Sequence, residues 1–201
     1  MPHYEPDWDA RYAEADRVWS GRPNHALVRE VAGLPAGRVL DVGCGEGADA
    51  VWLAQQGWDV TAIDVSVVAL ERARYAAADA GVEADWVHGR LEDAGLTGFD
   101  LVSACYPALV KSPHGEAERA LLAAVAPGGL LLVVHHADFG EHPDPEHQPR
   151  FDHRQFLSVD EIAVALGDDW TIEVHERRPR EISGGEGAHH RDDIVLRARR
   201  G

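Results

Sequence analysis

A chain of 201 residues can bury one substantial core but is short for two, so a single domain with modest decorations is expected. The formal net charge of −16 opposes nucleic acid and anionic membrane as partners, because affinity for polyanions rests on phosphates neutralised by Lys and Arg. No apolar run approaches the roughly 20 residues that cross a bilayer, and the polar, acidic start lacks a secretory-signal layout; a cytoplasmic protein with Cys44 and Cys105 both reduced is expected.

Before the first strand, Asp7 to Trp19 and His25 to Ala32 read as helices. Arg38 to Val42 is a short apolar run closed by glycines, the pattern of a buried parallel strand, with a helix following from Ala48 to Gln56. Trp58 to Ile63 is a second strand, Ser66 caps a helix running through Leu70, Ala73 and Ala77, and Ala84 to His88 is a third strand. Phe99 to Ser103 makes a fourth strand and Glu116 to Val125 a helix; Pro127-Gly128-Gly129 then turns into the strongly apolar Leu130 to Val134.

From Asp138 to Arg154 the chain is rich in Pro, His and acids, a loop long enough for a functional cover. Ser158 to Leu166 reads as a capped helix, and Trp170 to Arg177 and Asp192 to Arg199 as strands joined through a hairpin at Gly184-Gly-Glu-Gly187. The arginines at 177, 178 and 180 and at 197, 199 and 200 read as solvated strand ends. The alternation is that of an α/β fold with a doubly wound, mostly parallel seven-stranded sheet. Its expected parts are an N-terminal helical segment or lid (1–34), a core (38–136), and a cover loop, helix and closing strands (137–201).

Gly43-Cys44-Gly45-Glu46-Gly47 lies where the first strand hands over to a helix, and glycine there lets backbone turn sharply and approach a ligand. With Ala48 in the last place the run also fits a dinucleotide fingerprint, and Asp64 lies at the distance for gripping a ribose hydroxyl, so a nicotinamide-dependent oxidoreductase is a real alternative. Asp41, two residues before the first glycine, points the other way. A carboxylate there repels a pyrophosphate and suits a cationic ligand such as S-adenosylmethionine, which carries an ammonium, a sulfonium and a ribose but no phosphate.

Val39 to Gly47 resembles the first motif of class I S-adenosylmethionine-dependent methyltransferases, Val60 to Ser66 resembles the second, and Pro127-Gly128-Gly129 stands before the fifth strand as it does there. The resemblance spans Arg38 to His136 and implies a Rossmann-like fold. It implies that Asp41 and the backbone of Gly43, Cys44 and Gly45 hold the methionine part, that Asp64 accepts both ribose hydroxyls and that Val65 packs on adenine. Many members carry an acid after the third strand for the adenine amino group. Here Arg90 occupies that position, leaving Glu92, Asp93 or the Leu91 backbone for the contact.

Ligands in open α/β sheets lie beyond the carboxyl ends of the strands, so Ser103 to Pro107 and His135 to Asp138 should border the transferable methyl. His135 or His136 is a candidate base, Tyr106 a candidate hydrogen-bonding partner, and Cys105 a small apolar filler. The segment with Trp8, Tyr12 and Trp19 looks like the small-molecule branch that includes thiopurine and tellurite-resistance methyltransferases, where an N-terminal segment folds over the donor. That likeness implies a small-molecule acceptor with a thiol or similarly soft nucleophile, and brings Trp19 to the donor. A binding protein that keeps the donor fold without turnover is the remaining alternative. The many histidines, His142, His147, His153, His189 and His190 among them, have no zinc-finger or zincin spacing, and no metal is expected.

Overall fold

The computed structural model describes residues 6–137, 152–180 and 191–201. Helices α1 (Trp8–Ala13) and α2 (His25–Val31) precede an alternation of β1 (Arg38–Val42), α3 (Ala48–Gln55), β2 (Asp59–Asp64), α4 (Val67–Ala80), β3 (Asp85–His88), α5 (Leu91–Ala94), β4 (Phe99–Cys105), α6 (Glu116–Ala124) and β5 (Val125–His136). A 3-10 turn at His153–Gln155 then leads to α7 (Val159–Ala165), β6 (Trp170–Pro179) and β7 (Asp192–Arg200). The seven strands form one sheet in the order β3-β2-β1-β4-β5-β7-β6, parallel except for β7, which runs against both neighbours.

Alternation along each strand divides the core. Val39 faces a layer containing Leu27 of α2, Leu53 of α3 and Leu70 of α4, whereas Leu40 and Val42 face Leu91 of α5, Leu121 of α6 and Ile162 of α7. Each fully buried leucine contributes about 1.5–3 kcal/mol relative to exposure. The strand order reverses between β1 and β4, which opens the crevice of a doubly wound sheet outside their carboxyl ends. Asp41 and Ser103 face each other in register across that reversal.

Local signals set most boundaries. Ser66 caps α4 by accepting from the Ala69 amide, and Ser158 with Glu161 forms a reciprocal capping box on α7. The expected helix over Asp7 to Trp19 stops at Ala13. Arg72 takes the carbonyls of Tyr12 and Ala15, and Glu46 takes the amides of Val18 and Trp19, so tertiary partners claim the groups that further helical turns would use. The expected turn at Pro127-Gly128-Gly129 is absorbed into β5, with a register shift against β4 between Phe99 and Leu101. Of the expected cover loop over Asp138 to Arg154, residues 138–151 lie outside the described residues and the remainder enters the 3-10 turn at His153–Gln155; the glycine hairpin at 184–187 also lies outside them.

Candidate active site

Two groups of side chains gather at the carboxyl ends of the strands. The first surrounds the glycine loop after β1. The amides of Gly43 and Cys44 both donate to the Ile63 carbonyl, which ties the loop to β2, and Asp64 accepts from the Gly45 amide at 2.8 Å and the Ser66 amide at 2.9 Å. Gly45 adopts φ +52°, and a Cβ there would lie 2.7 Å from the Tyr12 hydroxyl, so the N-terminal segment closes directly on glycine backbone. Trp19 Nε1 donates to Tyr12 Oη at 3.0 Å above this point.

Three buried acids underlie the loop. Asp41 Oδ2 has no hydrogen-bond partner among the described residues, and burial, then the nearby Asp49 and Asp64, push the Asp41 carboxyl well above its ordinary range. Burial also raises Asp49, against two donors from Asn24, its amide and its side-chain nitrogen, both at 2.7 Å. Asp64 is raised by burial against its amide donors. The group is an electrostatic deficit that a cation relieves and a pyrophosphate aggravates. A carboxylate offers about four acceptor sites, so Asp64 keeps capacity beyond its backbone amide donors.

Beside Asp64, Val65 is 42% exposed, and its carbonyl lies 3.1 Å from His88 Nε2. Arg90 turns back to Glu92, its Nε donating at 2.8 Å, while the Leu91 side chain is buried. Ser103 is fully buried, with its hydroxyl 3.6 Å from Cys105 Sγ. Burial pushes both Cys44 and Cys105 thiols up, and both are unbridged.

The N-terminal segment is latched from two sides. Asp9 accepts from Ser66 Oγ at 2.6 Å and from the Val68 amide, which holds its carboxyl below the ordinary range. Glu46, in the glycine loop, accepts from Val18, Trp19 and Arg72, and Arg72 reaches on to the Tyr12 and Ala15 carbonyls. Burial, then Asp64, pushes the Tyr12 phenol well up.

The second group lies where β4 and β5 end and the antiparallel β7 begins. Tyr106 has φ +54°, uncommon for an aromatic residue, and its amide donates to the Val134 carbonyl. Its hydroxyl donates to Asp193 Oδ2 at 2.8 Å, and its ring centroid lies 4.4 Å from that of His136. His136 Nδ1 is 3.3 Å from Asp193 Oδ1, and Arg180 packs over the Tyr106 ring with Nε 3.8 Å from Asp193 Oδ2. His135 is buried and, by strand alternation, leaves β5 on the opposite face. The two groups adjoin, since a Cβ on Gly43 would meet Pro107 Cα at 3.4 Å.

Sequence reasoning singled out Tyr106 and His136, which the fold brings together, and placed Tyr12 in the N-terminal segment over the donor, but it missed Asp193, Asp49 and Arg72. Nothing local marks Asp193, 57 residues beyond His136. Among the described residues no three His, Cys, Asp or Glu side chains form a metal site, and no helix is long and apolar enough to cross a membrane.

A family profile described as methyltransferase domain matches residues 39–129. The chain is 37% identical over 52% of its length to ribosomal RNA small subunit methyltransferase C of Chromohalobacter salexigens, of which it covers 33%. It is 32% identical over 65% of its length to a ubiquinone biosynthesis O-methyltransferase of Xanthomonas campestris pv. campestris, of which it covers 60%. The chain thus spans between one third and two thirds of these relatives. A solved structure described as "Conversion of a Disulfide Bond into a Thioacetal Group during Echinomycin Biosynthesis" superposes with a TM-score of 0.75 at 27% identity, covering 96% of this chain and 90% of the other.

Proposed function

We propose that this chain, which belongs to the class I S-adenosylmethionine-dependent methyltransferase family, transfers a methyl group from S-adenosylmethionine to a small-molecule acceptor. The observation that carries the reading is the buried, unpartnered Asp41 oxygen in its group of three carboxylates. It fits a ligand with an ammonium and no phosphate, and so disfavours a nicotinamide dinucleotide.

In this reading Asp41 receives the ammonium, and the backbone of Gly43, Cys44 and Gly45 holds the methionine part. Asp64 accepts the ribose hydroxyls, and Val65 lies under adenine with Arg90, Leu91 and Glu92 along its edge. Glu92, already holding Arg90, stiffens that edge rather than offering a free carboxylate. Tyr12 and Trp19 close over Gly45 and exclude water, while Ser103 supports the floor from beneath. When bound, the donor supplies a methyl group made electrophilic by positive sulfur; the chain's task is mainly to hold an acceptor in line with it.

Tyr106 and His136 stand on the acceptor side, and His135 stays behind them as a second, less favoured base. The charge of −16 supports a small molecule over a nucleic acid, although one relative's name concerns ribosomal RNA. The expectation of a soft nucleophile rests on resemblance. It has a sulfur chemistry beside it in one neighbour's description and an O-methyltransferase in one relative's name. The chain is read as one domain, and two unbridged cysteines support a cytoplasmic location.

Calorimetric titration with S-adenosylhomocysteine and with NAD tests the site. Binding of the first and not the second is expected, and the reverse defeats the reading. Turnover of any acceptor separates an enzyme from a donor-binding protein without activity.

A further inference from the structure

We propose that Asp193 is a positioning residue that holds His136 as general base, and that the acceptor is therefore a weakly acidic hydroxyl or an amine rather than a thiol. The inference rests on the methyltransferase reading above and deepens it.

The pairing of β5 with β7 sets Asp193 opposite His136 and Ile194 opposite His135. A slip of one residue would send the carboxylate to the other face, so the register that buries Val195 and Leu196 also delivers Asp193 to His136. Asp193 is 5% exposed, and Tyr106 Oη, His136 Nδ1 and the Arg180 guanidinium converge on it. A carboxylate only accepts, so the hydrogen between it and His136 sits on Nδ1. In neutral imidazole that leaves the lone pair on Nε2, the arrangement a base requires.

Tyr106 is fitted to the same purpose. Its ring lies against His136 while its hydroxyl shares Asp193, so the imidazole is held by packing as well as by hydrogen bonding. Burial, then Asp193, pushes the Tyr106 phenol up, which makes it a donor and leaves His136 as the proton acceptor of the pair. The Tyr106 backbone at φ +54° is a conformation that costs about 1–3 kcal/mol and persists where surrounding contacts over-determine it. Its neighbour Pro107 lies close enough to Gly43 that a Cβ there would meet Pro107 Cα at 3.4 Å, so the Tyr106 end of the group adjoins the glycine loop.

The chemistry follows from that placement. As the acceptor oxygen or nitrogen forms its bond to the methyl carbon, the carbon–sulfur bond breaks and its electron pair stays on sulfur. The acceptor's O–H or N–H proton passes to Nε2, and Asp193 stabilises the imidazolium until the proton leaves to solvent. A thiol, which ionises near neutral pH unaided, has little need of this apparatus, whereas a hydroxyl does.

Nitrogen-resolved NMR of wild-type protein and Asp193→Asn tests the placement, with turnover measured on catechol, 4-nitrophenol, benzylamine and thiophenol. His136 is expected to carry its hydrogen on Nδ1 in the wild type and to lose that preference in Asp193→Asn. The variant's kcat on catechol should fall about 10²–10⁴-fold, with KM and S-adenosylhomocysteine affinity within a few-fold, and the catechol-to-thiophenol ratio should fall with it. An Nε2–H tautomer in the wild type, equal losses on catechol and thiophenol, or methylation of thiophenol alone would each overturn the proposal. If Asp193→Asn does not fold, the wild-type tautomer decides. Loss of the Asp193 role with S-adenosylhomocysteine still bound leaves the methyltransferase reading standing; a wild type that does not bind it brings both down.

Discussion

The two halves of the site are built in opposite ways. The glycine-loop half is assembled from near neighbours in the chain, Asp41 through Ser66, joined by adjacent parallel strands. The β5–β7 half joins His136 to an acid 57 residues away, through the one strand that runs against the rest. The difference teaches that a parallel core encodes a ligand site within a short span of sequence, while the flanking antiparallel strand adds chemistry that the span does not contain. The first half stores electrostatic strain in three buried carboxylates, one of whose oxygens, Asp41 Oδ2, has no partner among the described residues; the second draws Tyr106, His136 and Arg180 onto the single carboxylate of Asp193.

If strain marks the first half, Asp41→Asn should weaken S-adenosylhomocysteine binding by about 3–5 kcal/mol, the scale of a buried ion pair deprived of one partner. Calorimetry reads this, and an unchanged affinity would erase the contrast. The same substitution should raise the Tm of the ligand-free protein, since it removes a carboxylate that folding disfavours ionising. The sign follows from the raised folded pKa. The native state holds a proton longer than the unfolded chain, so stability falls as pH rises from the unfolded value near 3.8 through the raised native one, and unfolding curves between pH 4 and 7 should flatten in the variant.

Asp64→Ala should cost about 1.5–3 kcal/mol in the same titration with the fold retained, less than Asp41 because its oxygens already have amide partners. Tyr12→Phe should cost about 1 kcal/mol of affinity, through the lost hydrogen bond from Trp19, and should leave the β5–β7 half unmoved as read by the His136 NMR signals. At the low end, Glu173→Ala breaks two exposed pairs, to Arg197 and Arg199. It should change Tm by the equivalent of less than about 1 kcal/mol and ligand affinity not at all.

The same contrast governs what was legible in the sequence. Strand β1 and its glycines announced themselves because apolar run, turn and acid are consecutive, and the caps at Ser66 and Ser158 are local rules obeyed locally. The N-terminal helix was read too long because its end is decided by Glu46 and Arg72, neither of which its own periodicity contains. His136 could be named from its place at a strand end, but choosing it over His135 required knowing which face Asp193 shares. That depends on strand order and register, which no single segment carries.

The latch of Asp9 on Ser66, with Glu46 and Arg72 holding residues 12–19, bears on the order in which the molecule comes together. Its bonds span 26 to 60 positions, so the segment is synthesised well before its partners and cannot dock until α4 and the glycine loop exist. Tyr12 and Val18, buried at the end, stay uncovered until then. If these contacts form after the folding transition state, truncating Tyr12 or Val18 should speed unfolding and leave the folding rate nearly unchanged, which stopped-flow kinetics would read. In that case the segment sets how long the native state lasts more than how quickly it forms.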